Sequence, residues 1–202
     1  MTIKSAEFLK SFERFDQMGV GDLEPRPEFA FVGRSNVGKS SLLNMLCNSK
    51  KLAVTSQTPG RTRLINFFNI RLGSKEDEQT VYFVDLPGYG FSAAGKGTTQ
   101  GWSQSITEYL TKSENLRRVF VLVDIRHEPS GLDEAMLNFL QSHSIPFKII
   151  ATKCDKFSRA QMNLQRLKIS QSIGIGKDDI ILTSASSKLG REDILMALNT
   201  KI

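Results

Sequence analysis

Gly33-Arg34-Ser35-Asn36-Val37-Gly38-Lys39-Ser40 is the stretch that decides this chain. It fits G-x-x-x-x-G-K-[ST], the loop that cradles nucleotide phosphates. A triphosphate carries several negative charges that must be held without crowding. Gly33 and Gly38 permit backbone turns that a side chain would block, so successive N–H groups can face the phosphates. Lys39 supplies a point charge for the β and γ phosphates, and Ser40 a hydroxyl for Mg2+. Before the loop, Glu28–Val32 reads as a short buried strand. After it, Lys39–Asn48 reads as a helix with Leu42, Leu43 and Leu46 on one side. The start of a helix adds its positive dipole end to an anion site. The competing reading, a chance glycine loop, does not explain a strand before it and a helix after it.

Outward from the loop, strands and helices alternate. Further candidate strands are Leu64–Leu72, Thr80–Asp85, Arg118–Asp124, Phe147–Ala151 and Asp179–Thr183. Further candidate helices are Trp102–Lys112, Leu132–Ser142, Arg159–Ile173 and Arg191–Thr200. The alternation predicts a three-layer α/β fold, a mainly parallel six-stranded sheet with helices on both faces. The polar link at residues 73–78 is too short for a crossover helix. The strands it joins are therefore expected to be antiparallel, giving one antiparallel edge strand. Residues 1–24 read as an N-terminal extension, with a short helix around Ala6–Met18 and a loose link; residues 25–202 read as the nucleotide-binding domain. Two long loops, Ser49–Arg63 and Leu86–Gly101, follow elements that should end at the phosphates. Loops of that length in a compact domain are usually functional.

Three further motifs follow in order. Asp85-Leu86-Pro87-Gly88 ends a strand. An acid there can hold Mg2+ through water, and Gly88 can bring a backbone N–H to the γ-phosphate. Thr152-Lys153-Cys154-Asp155 reads as a base-reading motif. Guanine offers N1–H and a 2-amino group to one carboxylate, a pair that adenine cannot present. Asp155 thus argues for GTP over ATP, while the Lys153 stem either lies across the base or supports the loop. Ser184-Ala185-Ser186 can offer a backbone N–H to the guanine oxygen.

With these motifs in place, the chain looks like a translation-factor-type P-loop GTPase. More narrowly it resembles the EngB family, also called YihA or YsxC, of bacterial ribosome-assembly GTPases. The resemblance rests on Phe31 to Leu42, Thr58-Pro59-Gly60-Arg61-Thr62, Asp85-Leu86-Pro87-Gly88-Tyr89-Gly90, Trp102 with Tyr109-Leu110, and Asp124-Ile125-Arg126-His127 with Pro129 and Asp133. It implies a G domain that binds GTP and GDP with Mg2+ and hydrolyses GTP slowly. It also implies a cytoplasmic role in maturing the large ribosomal subunit, needed for normal cell division, septation and growth.

Carried over by position, Gly33 to Ser41 bind phosphates and Ser40 ligates Mg2+. Gly60, Arg61 and Thr62 form the first switch, with Thr62 closing onto Mg2+ and Thr58 a competitor for that role. Asp85 and Gly88 belong to the second switch. Thr152, Lys153, Asp155, Ser184, Ala185 and Ser186 face the base. The expected catalytic set is Lys39, Thr62, Gly88 and Asn36, and the expected metal set is Ser40, Thr62 and Asp85.

Many such enzymes place a glutamine after the second-switch glycine to orient the attacking water. Here that residue is Tyr89. Slow turnover is expected unless a partner or an ion helps. Asn36 suggests K+ near the phosphates, acting as a positive charge on the transition state. A nucleotide-dependent binding module with negligible catalysis is the alternative.

Composition sets the outer limits. The chain has 202 residues, enough for one domain with a sizeable core. Two cysteines, Cys47 and Cys154, cannot make a disulfide framework. His127 and His143 show no metal-ligand spacing. No apolar run reaches membrane-spanning length, and a monomer is expected. The net charge is +6. Between Ser144 and Lys177, Lys148, Lys153, Lys156, Arg159, Arg166, Lys168 and Lys177 face Asp155 alone. This segment, with the switch loops, is the candidate contact with the large ribosomal subunit and its rRNA. A solvated helix face is the competing reading.

Overall fold

Phe29-Ala30-Phe31-Val32 carries no polar side chain because it is covered on both faces; all four residues are buried. The computed structural model describes residues 1–19, 21–53, 64–73, 78–90 and 102–198. In it β2 (Glu28–Gly33) is the central strand of a seven-stranded sheet. The other strands are β1 (Ile3–Phe12), β3 (Ile65–Gly73), β4 (Glu78–Asp85), β5 (Leu116–Asp124), β6 (Phe147–Thr152) and β7 (Ile180–Leu182). Their order is β1-β3-β4-β2-β5-β6-β7. β2 pairs in parallel with β4 and β5, and β6 pairs in parallel with β5 and β7. β3 runs antiparallel to β4, as its short link predicts.

The N-terminal segment departs from expectation. It forms no helix over Ala6–Met18 beyond a single 3-10 turn at Phe15–Gln17; residues 3–12 are a strand antiparallel to β3. The antiparallel strand β3 is therefore interior, the edge passes to β1, and the sheet has one strand more than predicted. An uncovered β3 would show a row of unpaired N–H and C=O groups, which β1 satisfies. Two register shifts in β1, at Ile3/Ser5 and Phe8/Lys10, break its two-residue alternation and hide the strand from a periodicity reading.

The helices are α1 (Lys39–Leu46), α2 (Gln104–Lys112), α3 (Gly131–Ser142), α4 (Arg159–Ile173) and α5 (Arg191–Ala197). They cover both faces of the sheet. Leu42, Leu43 and Leu46 of α1 join Ile194 and Leu195 of α5 over Phe31, Phe83 and Phe120. Phe31 stacks on Phe120 and meets Phe83 edge-on, both at 5.1 Å between centroids. On the other face Ile106 and Tyr109 of α2, Met136 and Leu140 of α3, and Ile169 of α4 enclose Val84, Val121 and Ile149. Trp102, just ahead of α2, is buried there against Phe139 at 5.7 Å. Two helices begin with reciprocal caps, Ser130 with Asp133 on α3 and Ser158 with Gln161 on α4. By contrast α1 begins on Gly38, in the left-handed region at φ 108°, with no side-chain cap. Its first backbone donors are therefore not taken by a capping side chain.

Because β2, β4, β5, β6 and β7 point the same way, their C-terminal ends share one edge. In open α/β sheets, ligands bind at such an edge.

Candidate nucleotide site

The phosphate loop leaves β2 through Gly33. A Cβ at Gly33 would stand 2.9 Å from the Leu122 carbonyl oxygen and 3.0 Å from Val37 Cγ1, so glycine lets the loop pass against β5. Asn36 adopts a left-handed conformation at φ 63°. From there the chain enters α1, whose first residues are Lys39, Ser40 and Ser41. Lys39 forms an ion pair with Asp85 at the end of β4, where both side chains are largely shielded from water.

The segment after Asp85 is fastened to the same loop. Tyr89 N–H donates to the Gly33 carbonyl at 3.2 Å, and Ser35 N–H donates to the Tyr89 carbonyl at 3.0 Å. Gly88 lies so close that a Cβ there would be 3.2 Å from Ser35 N and Oγ. The Tyr89 side chain points away from the loop. Its ring is buried beside Trp102 at 6.3 Å, and its hydroxyl donates to Asp133 Oδ1 at 2.7 Å. Burial, with Asp133 adjacent, raises the Tyr89 phenol well above its ordinary range, so the proton stays on the hydroxyl.

The base-reading residues reach the loop from β6. Thr152 Oγ1 donates to the Val37 carbonyl at 2.7 Å. Lys153, itself left-handed at φ 63°, donates from Nζ to the Asn36 carbonyl and to Asp124 Oδ2, each at 2.8 Å. Of the two roles left open for Lys153, support of the loop is the one seen here. Asp124 also accepts both arms of Arg126, from Nε at 2.9 Å and Nη2 at 2.8 Å. Burial alone would raise the Asp124 carboxyl. The hydrogen bonds from Arg126 and Lys153 outweigh it and hold the group far below the carboxylate range.

Asp155 follows in a 3-10 turn. Its Oδ1 accepts from Ser184 Oγ at 2.8 Å, and Ser184 Oγ lies 2.9 Å from Ser186 Oγ. The Ser184 hydrogen bond lowers the Asp155 carboxyl most, with Lys156 at 3.2 Å adding to it. The group is therefore an acceptor at neutral pH. Cys154 N–H donates to the Thr183 carbonyl at 3.0 Å, which seats this turn beside β7. Ala185 is half-buried and Ser186 exposed at the same strand end.

The structure thus gathers Gly33–Ser41, Asp85, Gly88, Thr152, Lys153, Asp155 and Ser184–Ser186 along one sheet edge. Gly60, Arg61, Thr62 and Thr58 lie outside the described residues. Asp124, Arg126 and Asp133 carry no role in the sequence reading, although Asp124 and Asp133 bind the site's elements together and Arg126 braces Asp124. Arg126 pairs locally with Asp124, but Asp124 meets Lys153 across 29 positions and Asp133 meets Tyr89 across 44, so no local spacing could reveal these two links.

Comparison with known proteins is consistent with this edge. A family profile described as 50S ribosome-binding GTPase matches residues 28–153. The probable GTP-binding protein EngB of Desulfosudis oleivorans is 42% identical, over 96% of this chain and 94% of its own length. That of Chlorobaculum parvum is 42% identical over 98% of both chains. This chain belongs to the EngB family. It is a GTP-binding protein with a P-loop GTPase domain. A crystal structure of a probable GTP-binding protein engB shares the fold, with a TM-score of 0.59 at 21% identity, covering 85% of this chain and 96% of that one. Era in complex with MgGDPNP and nucleotides 1506-1542 of 16S ribosomal RNA also shares it, with a TM-score of 0.66 at 20% identity, covering 87% of this chain and 56% of that one.

The EngB site suits Mg2+ by its donor chemistry. Ser40 and Asp85 offer hard oxygen donors, and Asp85 already pairs with a cation, Lys39. Among the described residues no three His, Cys, Asp or Glu side chains cluster as a metal cage. A small octahedral ion that keeps waters and takes phosphate oxygens needs none.

Proposed function

We propose that this protein is a GTP-dependent switch that acts on the large ribosomal subunit and hydrolyses GTP slowly when alone. The observation that carries the reading is the strap of Lys153 between Asn36 and Asp124. It fixes the turn bearing Asp155 to the loop built for phosphates, so base and phosphate recognition form one unit. Asp155 accepts from the guanine N–H groups. The Ser35–Ser40 backbone, with Lys39 moved from Asp85 onto the phosphates, neutralises the triphosphate. Ser40 and Asp85, with Thr62, would hold Mg2+, which supplies charge neutralisation at the β and γ oxygens. Gly88 faces the γ-phosphate and reports its presence.

Slow turnover follows from Tyr89. Its ring is buried and its hydroxyl spent on Asp133, so it orients no water. K+ beside Asn36 would supply part of the missing charge, and turnover should then be faster in K+ than in Na+; equal rates would rule this out. The same burial of Tyr89 favours, as a second reading, a binding module with negligible catalysis. The 50S-binding description of the matching family supports the ribosomal partner, as does Era, a fold relative seen with ribosomal RNA. A cytoplasmic protein needed for growth and division fits this role.

The deciding experiment is calorimetric titration of GDP and ADP with Mg2+ into wild type and Asp155→Ala. Losing a charged acceptor for two donors should weaken GDP roughly 10- to 100-fold, with ADP silent in both. Equal GDP and ADP binding would overturn the guanine assignment. Multiple turnover with large subunits present would exclude the second reading.

A further inference from the structure

Asp133 is an acid at the start of α3, yet it is only 4% exposed. Its carboxylate is fully engaged. Oδ2 accepts from Ser130 N–H at 2.8 Å and Ser130 Oγ at 2.7 Å, and Oδ1 accepts from the Tyr89 hydroxyl at 2.7 Å. A capping box alone needs only the first partner. The link to Tyr89 is additional, and it spans 44 residues.

Tyr89 is held by backbone as well as by side chain. Its N–H and C=O clamp Gly33 and Ser35 on either side of Arg34. Its ring rests against Trp102, which rests on Phe139 of α3. Gly88, immediately before it, is pressed against Ser35. Gly90, immediately after it, turns away at φ 89°, where even a Cβ would meet Leu132 Cδ1 at 3.3 Å. The peptide that faces the γ-phosphate is therefore fixed on one side by the phosphate loop and on the other by α3.

We infer that Tyr89 and Asp133 form a positioning latch that sets the Gly88 N–H for the γ-phosphate, so that α3 helps decide how well the protein tells GTP from GDP. Neither residue touches the nucleotide. The tyrosine that stands where water-orienting glutamine is common serves a different purpose: it ties the peptide after Gly88 to α3 through Asp133. A buried hydrogen bond from a hydroxyl to a carboxylate is strong enough to hold one peptide in place, and its loss leaves the carboxylate short of a partner.

This inference rests on the GTP-switch reading, and its test separates the two. Affinities for GDP and for the non-hydrolysable β,γ-imido analogue of GTP would be measured on wild type, Tyr89→Phe, Asp133→Ala, the double variant and Ser130→Ala. The analogue should weaken about fivefold in Tyr89→Phe and in Asp133→Ala, with GDP unchanged and the double variant no worse than either single. Ser130→Ala should lower thermal stability through the lost cap but keep the wild-type ratio of the two affinities. The latch is overturned if GDP and the analogue weaken together, if the ratio stays constant in folded Tyr89→Phe, or if Ser130→Ala shifts it equally. A wild type that binds neither guanine nucleotide would overturn the switch reading and the latch with it.

Discussion

Glu28 opens the central strand as an acid that is only 3% exposed. Burial raises its carboxyl above the usual range, and hydrogen bonds from Ser113 Oγ at 2.6 Å and Tyr109 hydroxyl at 2.8 Å offset only part of this. The sign follows from linkage. With its folded pKa raised, Glu28 binds more protons in the folded state, so its contribution is full below the unfolded value and is lost as pH rises through the folded one. Glu28→Gln keeps an acceptor oxygen for both hydroxyls and carries no charge. The variant should lose less stability than wild type between mildly acid and neutral pH, and at pH 7 should match wild type within about 1 kcal/mol. Urea unfolding across that range checks both; parallel profiles would show that Glu28 is not the titrating group. The thiols make the same point about burial. It pushes Cys154 up to about 11 and Cys47 up to about 12, so both stay protonated and unreactive at neutral pH.

At the scale of elements, β1 is the part that sequence periodicity missed. Phe12 lies at its C-terminal end, 4% exposed and edge-on to Phe67 at 5.8 Å. Phe8, opposite Phe68 in the same ladder, is 55% exposed. If β1 folds with the rest of the sheet, Phe12→Ala should cost about 3 kcal/mol by leaving a cavity between β1 and β3. Phe8→Ala should stay within about 1 kcal/mol. Denaturant midpoints with unchanged slope would confirm this; two small and equal effects would mean that β1 is not part of the cooperative unit. The remaining elements were readable because their signals are local. Residues 159–173 match the predicted helix end to end, and Ser158, with Gln161 three residues on, marks its start. β5 carries the apolar run Val119–Val123 and β6 the shorter run Ile149–Ala151, as buried parallel strands should.

Across the whole molecule, charge counted along the chain differs from charge presented to a partner. Of the seven cations between Ser144 and Lys177, four are paired in the fold. Lys148 meets Asp179 at 3.2 Å, Lys153 meets Asp124 at 2.8 Å, Lys156 meets Asp155 at 3.2 Å and Arg166 meets Asp178 at 3.6 Å. Three of those acids lie outside the segment. Arg159, Lys168 and Lys177 are exposed, with no ion pair to any described residue. Charge reversal at these three should weaken association with large subunits by at least about tenfold at low salt, less at high salt, and spare GDP binding. Reversal at Arg166, which is largely covered, should mainly lower stability. Unchanged association after the triple reversal would remove α4 from the ribosomal contact. Among the described residues no helix is long and apolar enough to cross a membrane.

The sequence alone determined the alternation of strands and helices, the phosphate loop and the order of the guanine motifs. These depend on residue types within a few positions of one another. The glycine demands, the apolar periods and the caps are all local. Only the tertiary structure decided that β1 covers β3, that Lys153 ties the loop to Asp124, that Tyr89 turns to Asp133, and which cations of the basic segment find an acid among the described residues. Each of these joins groups far apart in the chain, and each is settled by which buried polar group finds a partner once the two cores close.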